Sequence, residues 1–143
     1  MKKILNLLAL MVISVFTYAQ NADDIIGTWY TEGGKSKVEI SKEGDKYSGK
    51  IIWLKEPNRE DGTAKLDKNN AEESLRSRGI LGLPVIQNFE WDDDEYEDGT
   101  IYDPENGKTY SCVITWKDMN TLNVRGYIGF SLLGRDTVWT RVE

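Results

Sequence analysis

The sequence predicts an all-β fold, a single antiparallel up-and-down barrel of about eight strands with one long loop or short-helix insertion. Three observations predict it. Short segments of alternating apolar and polar residues recur along the chain, separated by Gly, Asn and Asp turn signals. Only the stretch from Pro57 to Leu83 breaks that rhythm. The first segment opens on Gly27-Thr28-Trp29, and the last carries Trp139-Thr140-Arg141. A Gly-x-Trp on a first strand and an Arg on a last strand suit closure of one barrel end, with the guanidinium packed over the indole. A desolvated cation–π contact of that kind contributes ~1–2 kcal/mol. Gly27, Trp29 and Arg141 are therefore assigned to barrel closure.

The chain begins with Lys2 and Lys3, followed by an apolar run from Ile4 to Phe16 broken only by Asn6 and Ser14. Thr17-Tyr18-Ala19 then places small residues where a signal peptidase reads. This is the pattern of a secretory signal peptide over residues 1–19, which leaves residues 20–143 as one domain. The run is shorter than the roughly 20 residues a membrane span needs, and no cysteine follows it to carry a lipid. The expected location is outside the cytoplasm, periplasmic or extracellular.

Gly27 to Glu32 reads as the first strand, and Gly33-Gly34 as its turn. Lys37 to Ser41 alternates cleanly, Glu43-Gly44-Asp45 turns, and Tyr47 to Lys55 forms a longer strand in which Gly49 suits a bulge. Within the long segment, Ala71 to Arg76 fits one or two helical turns capped by Asn70. A connection of this length in a compact domain usually has a function, and the segment is expected to guard the open mouth of the barrel. Pro84 to Trp91 is the next strand, and Asp92 to Gly99 reads as a solvated acidic loop. Thr100 to Asp103 leads into the Asn106-Gly107 hairpin signal. On the following strand Tyr110, Cys112, Ile114 and Trp116 share one face. Leu122, Val124, Gly126 and Ile128 share a face of the next, and a final strand ends at Val142. Eight strands close into a barrel just wide enough for one small ligand and leave no exposed edge.

Taken together, Gly27-Thr28-Trp29, Gly49 to Leu54, Asp67-Lys68-Asn69, Gly99 to Pro104, Asn106 to Tyr110, Arg125 to Gly129 and Trp139-Thr140-Arg141 resemble the bacterial family known as domain of unknown function 2147. The resemblance covers nearly all of residues 20–143, and departs at Gly79, where a proline is expected after Arg78. It implies a lipocalin-like barrel of the calycin group and an exported protein, and it implies no activity.

Composition narrows the function. Without the leader, 16 basic residues face 24 acidic ones, a net charge of −8. Such a surface repels nucleic-acid phosphates and, for the same reason, an anionic membrane surface. The absence of histidine removes the commonest general base and metal ligand. Cys112 is the only cysteine, lacks a basic neighbour in the pattern, and reads as a small buried apolar residue. No catalytic residue, cofactor or metal is expected. From Asp94, Gly99 and Glu105 fall at the sixth and twelfth positions of a calcium loop; Tyr96, however, occupies a ligand position, and strands flank the stretch.

Two functions remain. In the first, the barrel binds a small apolar or amphipathic molecule without transforming it, with Trp53, Tyr110 and Trp116 lining the cavity. In the second, those side chains fill a solid core, and the protein is an interaction module with an envelope protein partner, acting through the acidic loop and the long segment. Asp61, Asp67, Asn69, Arg76 and Arg78 of that segment read mainly as turns and caps that order it.

Overall fold

The computed structural model describes residues 19–143; the signal peptide expected over residues 1–19 lies outside the described residues except for its last position. Eight strands run in chain order: β1 Gly27–Tyr30, β2 Ser36–Glu43, β3 Lys46–Leu54, β4 Pro84–Asp92, β5 Glu95–Asp103, β6 Lys108–Asp118, β7 Thr121–Tyr127 and β8 Arg135–Arg141. Each pairs antiparallel with the next. Trp29 opposite Arg141 and Tyr30 opposite Thr140 bring β8 back onto β1, so the sheet closes into a barrel.

The two ends of the barrel differ. Three short hairpins, the chain's C-terminus and a 3-10 turn at Ala22–Ile25 gather at one end, called here the closed end. The 31–35 turn, the 55–83 segment, the 104–107 turn and the 128–134 loop gather at the other, the open end.

Alternation dictates the interior. Val38, Ile40, Ile86, Phe89, Ile114, Leu122 and Val124 point inward and are buried. Close approach sets the packing at two glycines. A Cβ on Gly49 would stand 2.9 Å from both Ile86 Cγ1 and Val38 Cγ1, and one on Gly99 would overlap the Phe89 ring. Neither position has room for a methyl group, which is how a filled core packs.

The structure corrects the sequence reading in three places. Asp92 to Gly99 is not a loop: the turn is short, and β5 begins at Glu95. Its acidic residues mask a strand in which Tyr96 and Gly99 are buried, while Glu97 and Asp98 between them form a bulge on the outer side. Strand β5, bulged between Tyr96 and Gly99, runs through most positions of the calcium-loop spacing, so no such loop forms. Residues 71–76 form only a 3-10 turn at Glu73–Leu75, and Asn70 does not cap a helix; its side-chain oxygen accepts from the Glu72 N–H at 2.8 Å as an Asx-turn. In β3 the extra residue is Ile52 rather than Gly49: Val38 pairs with Ile51 but Lys37 pairs with Trp53. This shift inverts the alternation and turns Trp53 to the outer wall.

Candidate functional site

At the closed end the sequence places a tryptophan beneath an arginine, and the turn at Ala22–Ile25 completes the plug. The Trp29 indole donates to the Ile25 carbonyl at 2.9 Å. The Arg141 guanidinium carbon lies 4.3 Å from the Trp29 ring centroid, while Nη2 donates to the carbonyls of Asp24 at 2.9 Å and Met119 at 3.3 Å. Gly27 takes φ +138°, and its open side faces Arg141. Three more contacts pin the turn to the wall. The Tyr96 hydroxyl donates to the Ala22 carbonyl at 2.7 Å, and Tyr47 and Lys42 both donate to Asp23 Oδ1. Hydrogen bonds from Lys42 and then Tyr47 hold the Asp23 carboxyl below the usual carboxylate range, whereas burial, more than Asp23, pushes the Tyr47 phenol up.

The three residues expected to line a cavity do not come together. Trp53 is 39% exposed on the outer wall, edge-on to Tyr30 at 6.3 Å, with Lys37 Nζ over both rings. Tyr110 is half-buried at the open end, where its hydroxyl accepts from Asn106 Nδ2 at 2.8 Å. Trp116 belongs to the plug: it meets Trp29 edge-on at 5.9 Å and Tyr96 at 6.4 Å. Its Nε1 is buried and meets no partner at hydrogen-bond geometry.

The volume between them is occupied. Trp29, Tyr47, Phe89 and Tyr96 are the largest fully buried side chains, and Tyr47 meets Tyr96 edge to face at 5.4 Å. Two clefts lie outside the wall. One, of about 430 Å³, lies under the plug between Asp23, Asp24, Ile26, Trp116, Met119 and Arg141. The other, of about 260 Å³, sits against the outer faces of β5 to β7, beside Glu95, Thr115 and Arg125.

The long segment folds back over the open end and is ordered by one buried carboxylate. Asp67 is fully buried and accepts from Tyr102 Oη at 2.6 Å, Asn70 Nδ2 at 2.8 Å, and Arg78 Nε and Nη2 at 2.9 Å each. Its four acceptor sites are thereby well supplied. Asn69 donates to the carbonyls of Pro104 and Glu105, and Gly107 packs so closely on the Asn69 carbonyl that a Cβ there would overlap it. Ile80 and Leu83 then enter the core. Asp61 serves its own turn through Thr63, and Arg76 donates to the Asn70 carbonyl. Of the five polar residues singled out in the segment, only Asp67 and Arg78 share a site. Tyr102, which the sequence reading did not single out, and Asn70, which it read as a helix cap, complete the site. Tyr102 lies 35 positions from Asp67, and no local spacing links them.

Cys112 is buried at the barrel interior, and burial pushes its thiol up to about 12, far from the thiolate that a nucleophile needs. Among the described residues no three Asp, Glu or Cys side chains converge as a metal site, and no helix is long and apolar enough to cross a membrane.

This closed eight-stranded barrel, plugged by Trp29 and Arg141, defines a lipocalin-like protein. Residues 27–141 match the model of the family described as uncharacterized protein conserved in bacteria, domain of unknown function 2147, and the chain belongs to that family. It is also similar to a solved structure from the human pathogen Helicobacter pylori, described as belonging to the lipocalin family. The identity is 23% and the TM-score 0.70, over 82% of each chain. No protein of curated function matches.

Proposed function

We propose that this protein is an exported, non-catalytic interaction module that works through its outer surface. The filled interior carries the reading. Pockets that hold small ligands usually run to ~300–1,000 Å³ and are lined by convergent apolar groups. Here the inward positions are packed to the point that Gly49 and Gly99 admit no Cβ, and the aromatic residues expected to line a cavity are dispersed to the wall, the mouth and the plug. Cys112 does not serve as a nucleophile, because it is buried and its thiol is strongly disfavoured as thiolate.

The surface such a module offers is uneven. Dividing each strand at its midpoint, with the central Lys50 of β3 counted in the open half beside its neighbours Glu39 and Pro84, the closed half carries thirteen acidic and four basic residues, and the open half eleven and twelve. The closed end is thus an acidic face crowned by Asp92, Asp93 and Asp94. Glu97 on that face is pushed up, first by partial desolvation and then by its neighbour Asp92. The partner that suits this face is a basic protein of the cell envelope, recruited by long-range attraction that weakens with salt.

The test is affinity capture from envelope extract, comparing the protein with an Asp92→Asn/Asp93→Asn/Asp94→Asn variant. The expected result is a partner retained at low salt, released by raised salt and lost in the variant. A panel titration followed by tryptophan emission and melting temperature runs beside it. A small molecule that raises the melting temperature and alters emission would overturn the reading in favour of a ligand-binding barrel.

A further inference from the structure

We infer that the open end of the barrel docks onto the surface of a lipid bilayer, with the β7–β8 loop inserted among the headgroups. The inference concerns the face opposite the acidic one and stands apart from the proposed partner.

The loop begins the case. Between β7 and β8 the chain reads Ile128-Gly129-Phe130-Ser131-Leu132-Leu133-Gly134. Phe130 is 76% exposed, Leu132 89% and Leu133 79%, and Ile128 is exposed with them. A single 3-10 turn at Ser131–Leu133 shapes the tip. Isolated exposed apolar residues need no explanation, but a contiguous set marks an interaction site. These side chains form a protruding knob rather than a groove, so they suit a soft medium they can enter better than a shaped cavity they would fill.

The loop is not lax. Arg125 Nε donates to the Ser131 carbonyl, while Arg125 Nη1 pairs with Asp136 at 2.8 Å. The backbone at Gly134 closes on Arg125 and the Gly126 carbonyl. The protein thus holds the apolar tip outward.

A second and independent observation lies on the outer wall of the same end. Tyr30, Lys37 and Trp53 sit opposite one another across β1, β2 and β3, with the lysine between the two rings. Trp and Tyr with a long cation between them form the set that settles at headgroup level, rings toward the apolar side and polar ends toward water. Ile52 and Leu81 are exposed beside this ladder. Of the nine exposed large hydrophobic residues described, only Ile26 and Met119 lie at the closed end.

Charge completes the orientation. The net −8 that argues against a membrane surface resides almost wholly in the closed half, at −9, while the open half is +1. Lys35 and Arg135 are strongly exposed on the open rim, with Glu32 and Glu105 nearby. Docking by the open end therefore keeps the acidic face in water and brings a near-neutral, apolar face to the lipid, as an interfacial anchor requires. A neutral to weakly anionic bilayer suits it, since insertion rather than charge supplies the binding.

Flotation with phosphatidylcholine vesicles tests the inference. The protein is expected to float, and a Phe130→Ser/Leu132→Ser/Leu133→Ser variant of unchanged melting temperature to bind about tenfold more weakly or worse, as removal of the inserted apolar groups requires. Buried Cys112 also permits selective labelling of a single surface thiol. An environment-sensitive fluorophore attached after Leu132→Cys should shift to the blue on vesicles, and the same label after Met119→Cys at the closed end should not. No flotation, equal flotation of the serine variant, or equal shifts at both labels would overturn the inference. So would a dimer that the serine substitutions convert to monomer, because the loop would then cover a second copy.

Discussion

Arg141 shows how a single side chain can be read before the fold is known. Its position near the end of the last segment, answering Trp29 on the first, is a long-range pair that only a closed sheet brings together. The structure adds what spacing could not, namely the carbonyls of Asp24 and Met119 that take its donors and the Trp116 ring 6.0 Å away. Arg141→Ala removes the stacked cation and leaves those carbonyls and the Trp29 face bared. A loss of ~1–3 kcal/mol is expected from the cation–π contact and the unmade hydrogen bonds together. Denaturant unfolding measures it, and a midpoint equal to the wild type would mean that Arg141 contributes nothing to closure. Trp53 marks the opposite limit. Strict alternation from Tyr47 points it inward, and one extra residue at Ile52 reverses that. A bulge leaves no mark when both residues at it are isoleucine, because either parity buries one of them.

Among the elements, most hairpins were legible because their strands alternate over much of their length and their turns carry a local signal. The 57–83 segment was not, since its order comes from partners far along the chain. Asp67 looks like any turn aspartate until Tyr102 and Arg78 converge on it. The β4–β5 hairpin failed for another reason: consecutive acidic residues suggest solvent, yet a strand with one wet face can carry acid at every outward position and still bury Tyr96. Asp67 also decides whether the long segment behaves as one unit. Asp67→Ala leaves Asn70 and Tyr102 short of a partner and Arg78 without its carboxylate. Breaking a buried pair with its hydrogen bonds in this way costs ~2–4 kcal/mol. The loss should appear locally, as faster amide exchange in the Asp67, Arg76 and Ile80 N–H groups that close the segment's own turns. Exchange slowed or unchanged there would show that the core residues Ile80 and Leu83 alone hold the segment down.

At the scale of the whole molecule, the barrel is polarised, with acid and a plug at one end and neutral, apolar residues at the other. Net charge, a single number, hid this, because −8 is the sum of two unlike halves. The plug turn is held to the acidic end partly by charge, through Asp23 with Lys42 and Tyr47, and this makes its attachment depend on pH. The folded state holds the Asp23 carboxyl below the ordinary aspartate value of about 4. The folded protein therefore binds fewer protons than the unfolded chain near that value, and the contact stabilises the fold fully above it. Its contribution fades as the pH falls toward the lower folded value. Asp136 follows the same sign, held down by Asn123 first and Arg125 next, so it fastens the root of the β7–β8 loop over the same range. Asp23→Asn isolates the plug from that background. Its melting temperature should lie below the wild type at neutral pH, and the gap should close as the pH falls below the ordinary aspartate value and the wild-type carboxyl gains its proton. A gap that stays constant from neutral pH to about pH 2 would mean that the Ala22–Ile25 turn is kept in place by Trp29, Tyr96 and Arg141, with no help from the Asp23 charge.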